Sequence, residues 1–422
     1  MTYLKKRRLA QWCVLAAGAS VVLAACSSGG SPSASPTGGS TGGTTTATIK
    51  FWDPYPQREA GSEWDTHVQS CAPAGSTIER SSAPQTDLLN QLTSAVREGN
   101  APDIVLLDNP LMPDAASAGL LASADEVGID VSGIDKNLLG PGVVGGVAYG
   151  VPMGSNALGL YYNADVLKTA GVDVSTIHDW ASLNTAISAV VASGSKGITF
   201  SGVPGEEGVF QFEPWFWGAG ASLTDIGSDA AISAGQLVSD WIGNGWAPRS
   251  ATTDNQSASW DLFLTGEYGF AENGSWFAQA AADNEGFTVG MIPIPAQNAA
   301  VAPVPTGGEF AAAPVQSKDA ADHYANASAV IACLTGGANA TVTSEALGYL
   351  SAKADVRAAQ VANNPLWDPW VSIVEGAQGR TTELGADYVA VSGSISDALQ
   401  GALNASGDAA GVAKAFKDAA GL

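Results

Sequence analysis

A nearly uniform apolar run at residues 103–107, Asp-Ile-Val-Leu-Leu, narrows the range of folds open to this chain. Such a run is typical of a strand that is buried on both faces of a parallel sheet. It follows a segment with apolar residues at helical spacing, residues 87–98, and a strand-like stretch at residues 76–80. A further strand is predicted at residues 48–52, where apolar and polar residues alternate. The succession of strand, helix and strand predicts an α/β domain with ligand chemistry at the carboxyl ends of its strands.

The same pattern recurs further along the chain. Strand-like stretches at residues 157–162 and 197–200 alternate with predicted helices at residues 180–192 and 230–241. A chain of 422 residues also exceeds the roughly 250–300 residues at which one hydrophobic core stops growing. Since we find no short-period repeat, we predict two α/β lobes rather than a solenoid.

The N-terminal residues 1–25 have the pattern of a secretory signal peptide. Basic residues at positions 5–8 precede an apolar run at residues 9–22, which is too short and too interrupted by polar residues for a transmembrane helix. The segment ends in Leu-Ala-Ala-Cys, which resembles the lipobox of bacterial lipoproteins, where Cys26 would be lipidated. A plain small-residue cleavage site is the alternative. Residues 26–46 are rich in Ser, Gly, Thr, Pro and Ala, which predicts a flexible tether.

Charge and composition argue against several classes of function. The chain has 18 Lys and Arg against 41 Asp and Glu, and this acidic balance argues against a nucleic-acid partner. A hydrophobic share of 45% argues against a disordered acidic tail. The 3 histidines are far apart in the sequence, and metal-binding or nucleotide-binding motifs are absent from it. We therefore predict neither a metal site nor a cofactor.

Two cysteines, Cys71 and Cys333, remain if the signal peptide is removed and Cys26 is lipidated. In an exported protein these two residues form either one disulfide or two separate buried thiols. The residues alone do not decide between the alternatives, because they do not fix the distance between the two Cα atoms.

Tryptophans close to turn signals indicate a ligand site. Trp215 and Trp217 follow Glu213, Trp276 ends the segment Glu-Asn-Gly-Ser-Trp, and Trp52 precedes an Asp-Pro turn. An indole offers a flat apolar face, and nearby carboxylates and amides offer hydrogen-bonding groups; together they fit the ring and hydroxyl rim of a sugar. Core packing is the alternative for each ring, and we predict it for three others: Trp241, Trp246 and Trp260.

Several short segments occur in the order found in extracellular solute-binding proteins of ABC importers, the family that includes the maltose-binding proteins. These segments are Asn-Ala-Pro-Asp-Ile at residues 100–104, Ala-Gly-Leu-Leu at 118–121, Ala-Tyr-Gly-Val-Pro at 148–152, Leu-Tyr-Tyr-Asn at 160–163, Phe-Leu-Thr-Gly-Glu at 263–267, Asn-Gly-Ser-Trp at 273–276 and Gly-Gly at 307–308. The chain therefore resembles this family over nearly its whole mature length. The resemblance implies an α/β, two-lobe periplasmic-binding-protein-like fold with a hinge, a central ligand cleft, and closure on binding.

By this resemblance the N-terminal lobe comprises residues 47–154 and 306–354, and the C-terminal lobe comprises residues 155–305 and 355–422. The resemblance also implies that both remaining cysteines lie in the N-terminal lobe, which favours a disulfide.

The resemblance further implies roles for particular residues. Trp215 and Trp276 resemble sugar-stacking rings, and Asn156 stands where the family often has a polar residue at the start of the second lobe. Asp108 and Asn109 would bind hydroxyl groups. The complete set of candidate ligand-binding residues is Trp52, Asp53, Asp108, Asn109, Asn156, Glu213, Trp215, Trp217, Trp276, Glu309 and Phe310.

We therefore predict a monomeric binding protein without catalytic activity, anchored to the outer face of the bacterial cell membrane through Cys26. It would capture a neutral disaccharide or oligosaccharide and deliver it to the ABC permease subunits. A neutral ligand is predicted because, among the basic residues outside the signal peptide, only Arg58 is close in sequence to a candidate segment. The alternatives are a secreted glycosidase with Glu213 and Asp108 as its carboxylate pair, and a binding protein for a cation such as a polyamine.

Overall fold

The structure, a computed structural model, describes residues 47–422. The predicted signal peptide, the lipidation site Cys26 and the tether lie outside these residues. In the described part of the chain, no helix combines the length and the apolar character needed to cross a membrane.

Strands and helices alternate along most of the chain. The strands are β1 (Ala47–Asp53), β2 (Ser76–Ser82), β3 (Ile104–Asp108), β4 (Val143–Val144), β5 (Val147–Ala148), β6 (Val151–Pro152), β7 (Leu158–Asn163), β8 (Lys196–Thr199), β9 (Tyr268–Gly274), β10 (Val289–Ile292) and β11 (Glu309–Ala312). The helices are α1 (Glu63–Ser70), α2 (Gln85–Glu98), α3 (Met112–Ser117), α4 (Ala124–Val127), α5 (Lys136–Leu139), α6 (Ala164–Ala170), α7 (Trp180–Ala192), α8 (Glu206–Gly218), α9 (Asp229–Gly243), α10 (Gln256–Leu264), α11 (Ala278–Ala282), α12 (Ala320–Thr335), α13 (Gly337–Leu347), α14 (Ala354–Asn363), α15 (Asp368–Glu375), α16 (Tyr388–Ala405) and α17 (Ala409–Ala419).

The first lobe is built on a five-stranded sheet with the strand order β2-β1-β3-β11-β6. Strand β1 pairs in parallel with β2 and β3, whereas β11 is antiparallel to β3 and β6. Residues 104–107 of β3 are fully buried, as the apolar run predicts. Since successive side chains of a strand point to opposite faces, Ile104 and Leu106 join one hydrophobic cluster, while Val105 and Leu107 join another.

The second lobe is built on a four-stranded sheet with the order β10-β7-β9-β8. Its core is a large hydrophobic cluster that includes Trp241 and Trp260. Both of these tryptophans are buried. Helices α8, α9, α16 and α17 pack against one another on this lobe.

The chain passes between the two sheets in three places. It leaves the first sheet after β6, returns through residues 305–308 to β11, and leaves again near Leu350, which pairs with Ser155. These connections have the position expected of a hinge between two lobes. The predicted lobe boundaries fall in or near these connections, and the exact limits of each lobe stay a prediction.

In the first lobe, Cys71 at the end of α1 and Cys333 in α12 form a disulfide with an S–S distance of 2.08 Å. Of the two arrangements that the residues alone left open, the structure therefore contains the bridge. It joins two cysteines that are 262 residues apart in the sequence.

Candidate ligand-binding site

Residues 306–309 form the centre of the candidate site, because side chains from both lobes meet there. The Asn109 Nδ2 donates to the carbonyl of Thr306 at 2.9 Å, and the Gly307 N–H donates to the carbonyl of Asn156 at 3.3 Å. A Cβ atom on Gly307 would lie 1.7 Å from Asn156 Oδ1 and 3.0 Å from the Phe210 ring. Only glycine allows this close approach.

A buried arginine, Arg380, connects the two lobes beside this segment. Its Nη2 donates to Asp108 Oδ1 at 2.8 Å and its Nη1 donates to Glu206 Oε1 at 2.6 Å. Its Nε donates to the Thr306 carbonyl at 3.1 Å, and its guanidinium carbon lies 4.8 Å from the centre of the Phe210 ring. Asp108 ends β3 in the first lobe, whereas Glu206 begins α8 in the second. Arg380 is therefore paired with one carboxylate from each lobe.

Two more polar groups of the second lobe extend this network. The Tyr388 Oη lies 2.9 Å from one carboxyl oxygen of Glu206 and 2.9 Å from one of Glu213. A phenol has a single hydrogen and can donate fully to only one of the two carboxyl groups. Burial raises the pKa of Glu213 well above its ordinary value, and the charge of Glu206 raises it further. Both effects favour the protonated, uncharged form of Glu213.

Glu309 is the centre of a second polar cluster, at the end of the first sheet where β3 ends and β11 begins. It accepts hydrogen bonds from the hydroxyls of Tyr55 and, at 2.7 Å, Tyr349. Asp108 pairs with Glu309 across strands β3 and β11. Burial, followed by the charge of Asp108, raises the pKa of Glu309 from 4.5 to about 7. The cluster therefore changes its charge close to neutral pH.

Four buried polar atoms in this region have no hydrogen-bond partner among the described residues. They are Asn109 Oδ1, Asn156 Oδ1, Thr306 Oγ1 and Glu213 Oε2. Buried polar atoms in native proteins are nearly always paired, so each such atom needs an explanation. A polar ligand or ordered water at residues 306–309 would provide the missing partners.

Of the predicted aromatic residues, the structure brings Trp276 next to this group. Its ring is half-buried, and its centre lies 6.2 Å from that of Phe210. The backbone at Trp276 also packs against Gly348, close to the hinge connection at Leu350. A Cβ atom on Gly348 would lie only 2.6 Å from the Trp276 Cα. This position fits the predicted contact with a ligand.

Trp215 and Trp217 instead belong to the core of the second lobe. Trp215 is 1% exposed, donates from Nε1 to Glu272 at 2.8 Å, and packs edge-on against Trp241 at 5.1 Å. The reason is its position on α8, about 180° around the helix axis from Glu206. Trp217 lies one turn after Glu213 but is also buried. We therefore assign both rings to core packing, in place of the ligand contacts predicted for them.

Three other candidate residues, Asp53, Phe310 and Trp52, lie in the first lobe and contact other residues of that lobe. Both oxygens of Asp53 are occupied, because they accept hydrogen bonds from Arg80, from Trp64 Nε1 at 2.9 Å and from the Tyr55 N–H at 3.1 Å. Phe310 is 1% exposed within a hydrophobic cluster, and the half-buried Trp52 packs against the same cluster. We assign Asp53 and Phe310 to the framework of the lobe, whereas a ligand contact of Trp52 stays a prediction.

Sequence reasoning missed several residues that the structure brings to the site: Tyr55, Glu206, Phe210, Tyr349, Arg380 and Tyr388. One signal was available, because Glu206, Phe210 and Glu213 are spaced as on one face of a helix. Arg380 gave no such signal, since it lies in an irregular segment between α15 and α16.

In the described residues, no group of three or more His, Cys, Asp and Glu side chains could hold a metal ion.

A sequence model of the bacterial extracellular solute-binding protein family matches residues 72–368. The chain belongs to this family. The family is one of extracellular solute-binding proteins, which agrees with the predicted family resemblance and implies that the protein is exported. Binding proteins of Brucella abortus and Brucella suis are 23% identical over 205 residues, which cover 46% of this chain and 49% of theirs. The chain thus spans about half the length of the curated relatives it matches.

Solved structures of similar proteins confirm the two-lobe α/β fold of this family member. The GacH receptor of Streptomyces glaucescens, solved unliganded and with acarbose, is 21% identical with a TM-score of 0.75, covering 89% of this chain and 98% of its own. Maltose-bound MalE3 of T. maritima is 20% identical with a TM-score of 0.75, covering 88% and 100%. UgpB of Mycobacterium tuberculosis, in complex with glycerophosphocholine, is 22% identical with a TM-score of 0.73, covering 89% and 97%. At these identities the likeness establishes the fold alone.

Proposed function

We propose that this solute-binding protein is the carbohydrate receptor of an ABC importer, and that it binds a neutral disaccharide or oligosaccharide between its two lobes. The observation that carries the proposal is the set of unpaired polar atoms of Asn109, Asn156 and Thr306 around residues 306–309. The Phe210 ring lies beside Gly307, and the Trp276 ring lies next to that of Phe210. Amide, hydroxyl and carboxyl groups suit the hydroxyls of a sugar, and aromatic faces suit its C–H surface.

The charge balance of the site supports a neutral ligand. The basic side chain at its centre, Arg380, already donates to Asp108 and Glu206. An anionic ligand would have to compete with these two carboxylates for the guanidinium. A cationic ligand would find both carboxylates already paired with Arg380, and burial favours the uncharged form of Glu213.

In the proposed mechanism the ligand favours the closed arrangement of the lobes. Asn109 belongs to the first lobe and Asn156 to a hinge connection, whereas Glu213 belongs to the second lobe. A ligand that binds all three contributes more free energy in the closed form than in the open form, and this difference drives closure. The permease subunits would recognise the closed form, and lipidated Cys26 would hold the receptor at the membrane.

Titration of tryptophan fluorescence tests the proposal. The panel consists of maltose, maltotriose, acarbose, glycerophosphocholine and spermidine, with product analysis of every sugar sample. We expect saturable changes with one or more neutral sugars and no turnover. Saturation by spermidine or glycerophosphocholine alone, or release of new reducing ends, would contradict the proposal.

The lipid anchor has its own test. We expect the full-length protein in the membrane fraction of a lipoprotein-processing bacterium and the Cys26→Ser variant in the soluble fraction. Equal membrane association of both forms would disprove anchoring through Cys26.

A further inference from the structure

Arg380 has an environment that resembles a recognition site for a cation. It is 2% exposed, and its partners are two carboxylates and one backbone carbonyl. The Phe210 ring centre lies 4.8 Å from the guanidinium carbon, within the range of a cation–π contact. Carboxylates at the edge of a guanidinium and an aromatic ring against its face satisfy both its hydrogen-bonding and its stacking preferences.

We propose that Arg380 determines the charge specificity of the ligand site. Asp108, Glu206 and the face of Phe210 form a subsite for a cation, and the protein fills this subsite with its own guanidinium. The rest of the cleft is thereby left to an uncharged ligand. The inference rests on the proposed function and adds to it the residue that selects against charged ligands.

The carboxylates need this cation because they lie close to other acidic groups. Asp108 is 23% exposed and Glu206 is 32% exposed at the side chain. Glu309 lies opposite Asp108 across β3 and β11, and Tyr388 lies between the carboxyl groups of Glu206 and Glu213. Removal of one partner of a buried ion pair leaves a charge without compensation, which is strongly unfavourable. A chain without the Arg380 side chain would therefore gain affinity for a small cation at the vacated position.

Arg380 also touches the group of unpaired polar atoms. It donates to the carbonyl of Thr306, whose own hydroxyl has no partner, and that carbonyl also accepts from Asn109. The guanidinium thus fixes the orientation of the segment that would contact the sugar. Loss of Arg380 should weaken sugar binding as well as change the charge preference.

Another buried arginine provides a matched control. Arg357 is also 2% exposed and also joins two carboxylates, Asp135 at 2.6 Å and Glu375 at 3.0 Å. In the described part of the chain, the cation–π contacts involve Arg58, Lys196 and Arg380, and not Arg357. Neither Asp135 nor Glu375 contacts residues 306–309 through a hydrogen bond of the described residues.

The experiment compares the wild-type protein with Arg380→Ala and Arg357→Ala. Guanidinium chloride is added at low millimolar concentration, with sodium chloride at equal ionic strength as the salt control. We expect guanidinium to raise the melting temperature of Arg380→Ala saturably by about 2 °C or more, and to leave the wild type unchanged. For the sugar identified in the fluorescence panel, Arg380→Ala should lose at least about tenfold in affinity, and guanidinium should restore part of it. Arg357→Ala should bind the same sugar within about twofold of the wild type.

The inference is overturned if Arg380→Ala shows no specific response to guanidinium, or if it binds the sugar as tightly as the wild type does. Should the alanine variant fail to fold, Arg380→Met keeps most of the side-chain volume without the charge, and the same outcomes apply. The melting experiment contains no sugar. A wild-type protein that binds no sugar would therefore refute the proposed function, while the guanidinium response would still decide the role of Arg380.

Discussion

At the residue scale, Trp276 and Trp215 illustrate how similar sequence surroundings lead to different roles. Both tryptophans stand close to acidic or amide residues and to turn-forming residues. The structure places Trp276 half-buried beside Phe210, whereas Trp215 is enclosed by Trp180 and Trp241. The two positions predict separable effects of substitution.

We expect Trp276→Ala to weaken ligand binding by about ten- to a hundredfold while the free energy of unfolding changes little, because a half-buried ring contributes mainly to the ligand contact. Trp215→Ala should instead lower the free energy of unfolding by about 3–5 kcal/mol, since it empties a packed core position. Urea denaturation and fluorescence titration of both variants measure the two quantities. Normal affinity in a folded Trp276→Ala protein would place that ring outside the site.

Glu309 provides a prediction about pH. Its pKa rises from 4.5 to about 7 on folding, through burial and the charge of Asp108. The folded state therefore binds a proton that the unfolded chain has released between these pH values, so the stability falls as the pH increases from about 4.5 to about 7. This loss amounts to at most about 3 kcal/mol. The neighbouring hydroxyls of Tyr55 and Tyr349 stay protonated in this range, because burial raises the pKa of each.

Melting curves of the ligand-free protein from pH 5 to pH 8 measure this effect. The Glu309→Gln variant serves as the control, since its amide does not titrate. We expect a smaller decline in the variant than in the wild type over the same interval. Parallel curves would exclude Glu309 as the source of the pH dependence.

At the element scale, sequence patterns predicted some elements of the structure and missed others for physical reasons. The buried run of β3 was predicted correctly because a strand in the middle of a sheet must be apolar on both faces. Helix α8 was missed, since Pro214 and the surrounding aromatics suggested a loop. Proline inside a helix usually breaks it, but here ten consecutive residues of α8, residues 208–217, are buried against the second lobe. Tertiary packing therefore outweighs the local preference.

The failure to predict helix α8 also explains why several residues of the site were not predicted. Because no helix was predicted at residues 206–218, the spacing of Glu206, Phe210 and Glu213 was not used, and the burial of Trp215 was not recognised. Asp108, Asn109, Asn156 and Glu309 follow strands or hinge segments, and the structure brings them together as the topology of an α/β lobe suggests. Their contact with a ligand stays a prediction.

The disulfide between α1 and α12 also belongs to this scale. It closes a loop of 262 residues, and loss of such a bridge costs about 2–5 kcal/mol of unfolding free energy. We expect the double variant Cys71→Ser/Cys333→Ser to melt at a lower temperature than the oxidised wild type. Reductant should lower the melting temperature of the wild type toward that of the variant and leave the variant unchanged. Equal melting temperatures for all samples would show that the bridge does not contribute to stability.

At the scale of the whole molecule, the acidic surface and the neutral site have different consequences. The net charge of −23 produces repulsion among exposed carboxylates, which opposes the compact state. The guanidinium of Arg380 is buried and its two carboxylates are partly buried, so these pairs are less screened by salt than fully exposed charges are. Stability and ligand affinity should thus respond differently to ionic strength.

We expect an increase of sodium chloride from about 0.05 M to about 0.5 M to raise the melting temperature, because the Debye length falls several-fold and surface repulsion is screened. The dissociation constant of a neutral sugar should change less than about twofold over the same range, since the ligand carries no charge. Calorimetric titration at both salt concentrations measures the affinity, and the Arg380→Ala variant with guanidinium provides the charged comparison. The affinity of Arg380→Ala for guanidinium should fall as the salt concentration increases, because sodium ions screen Asp108 and Glu206. A steep loss of sugar affinity in the wild type would mean that Arg380 leaves the acidic groups of the cleft exposed to solvent ions.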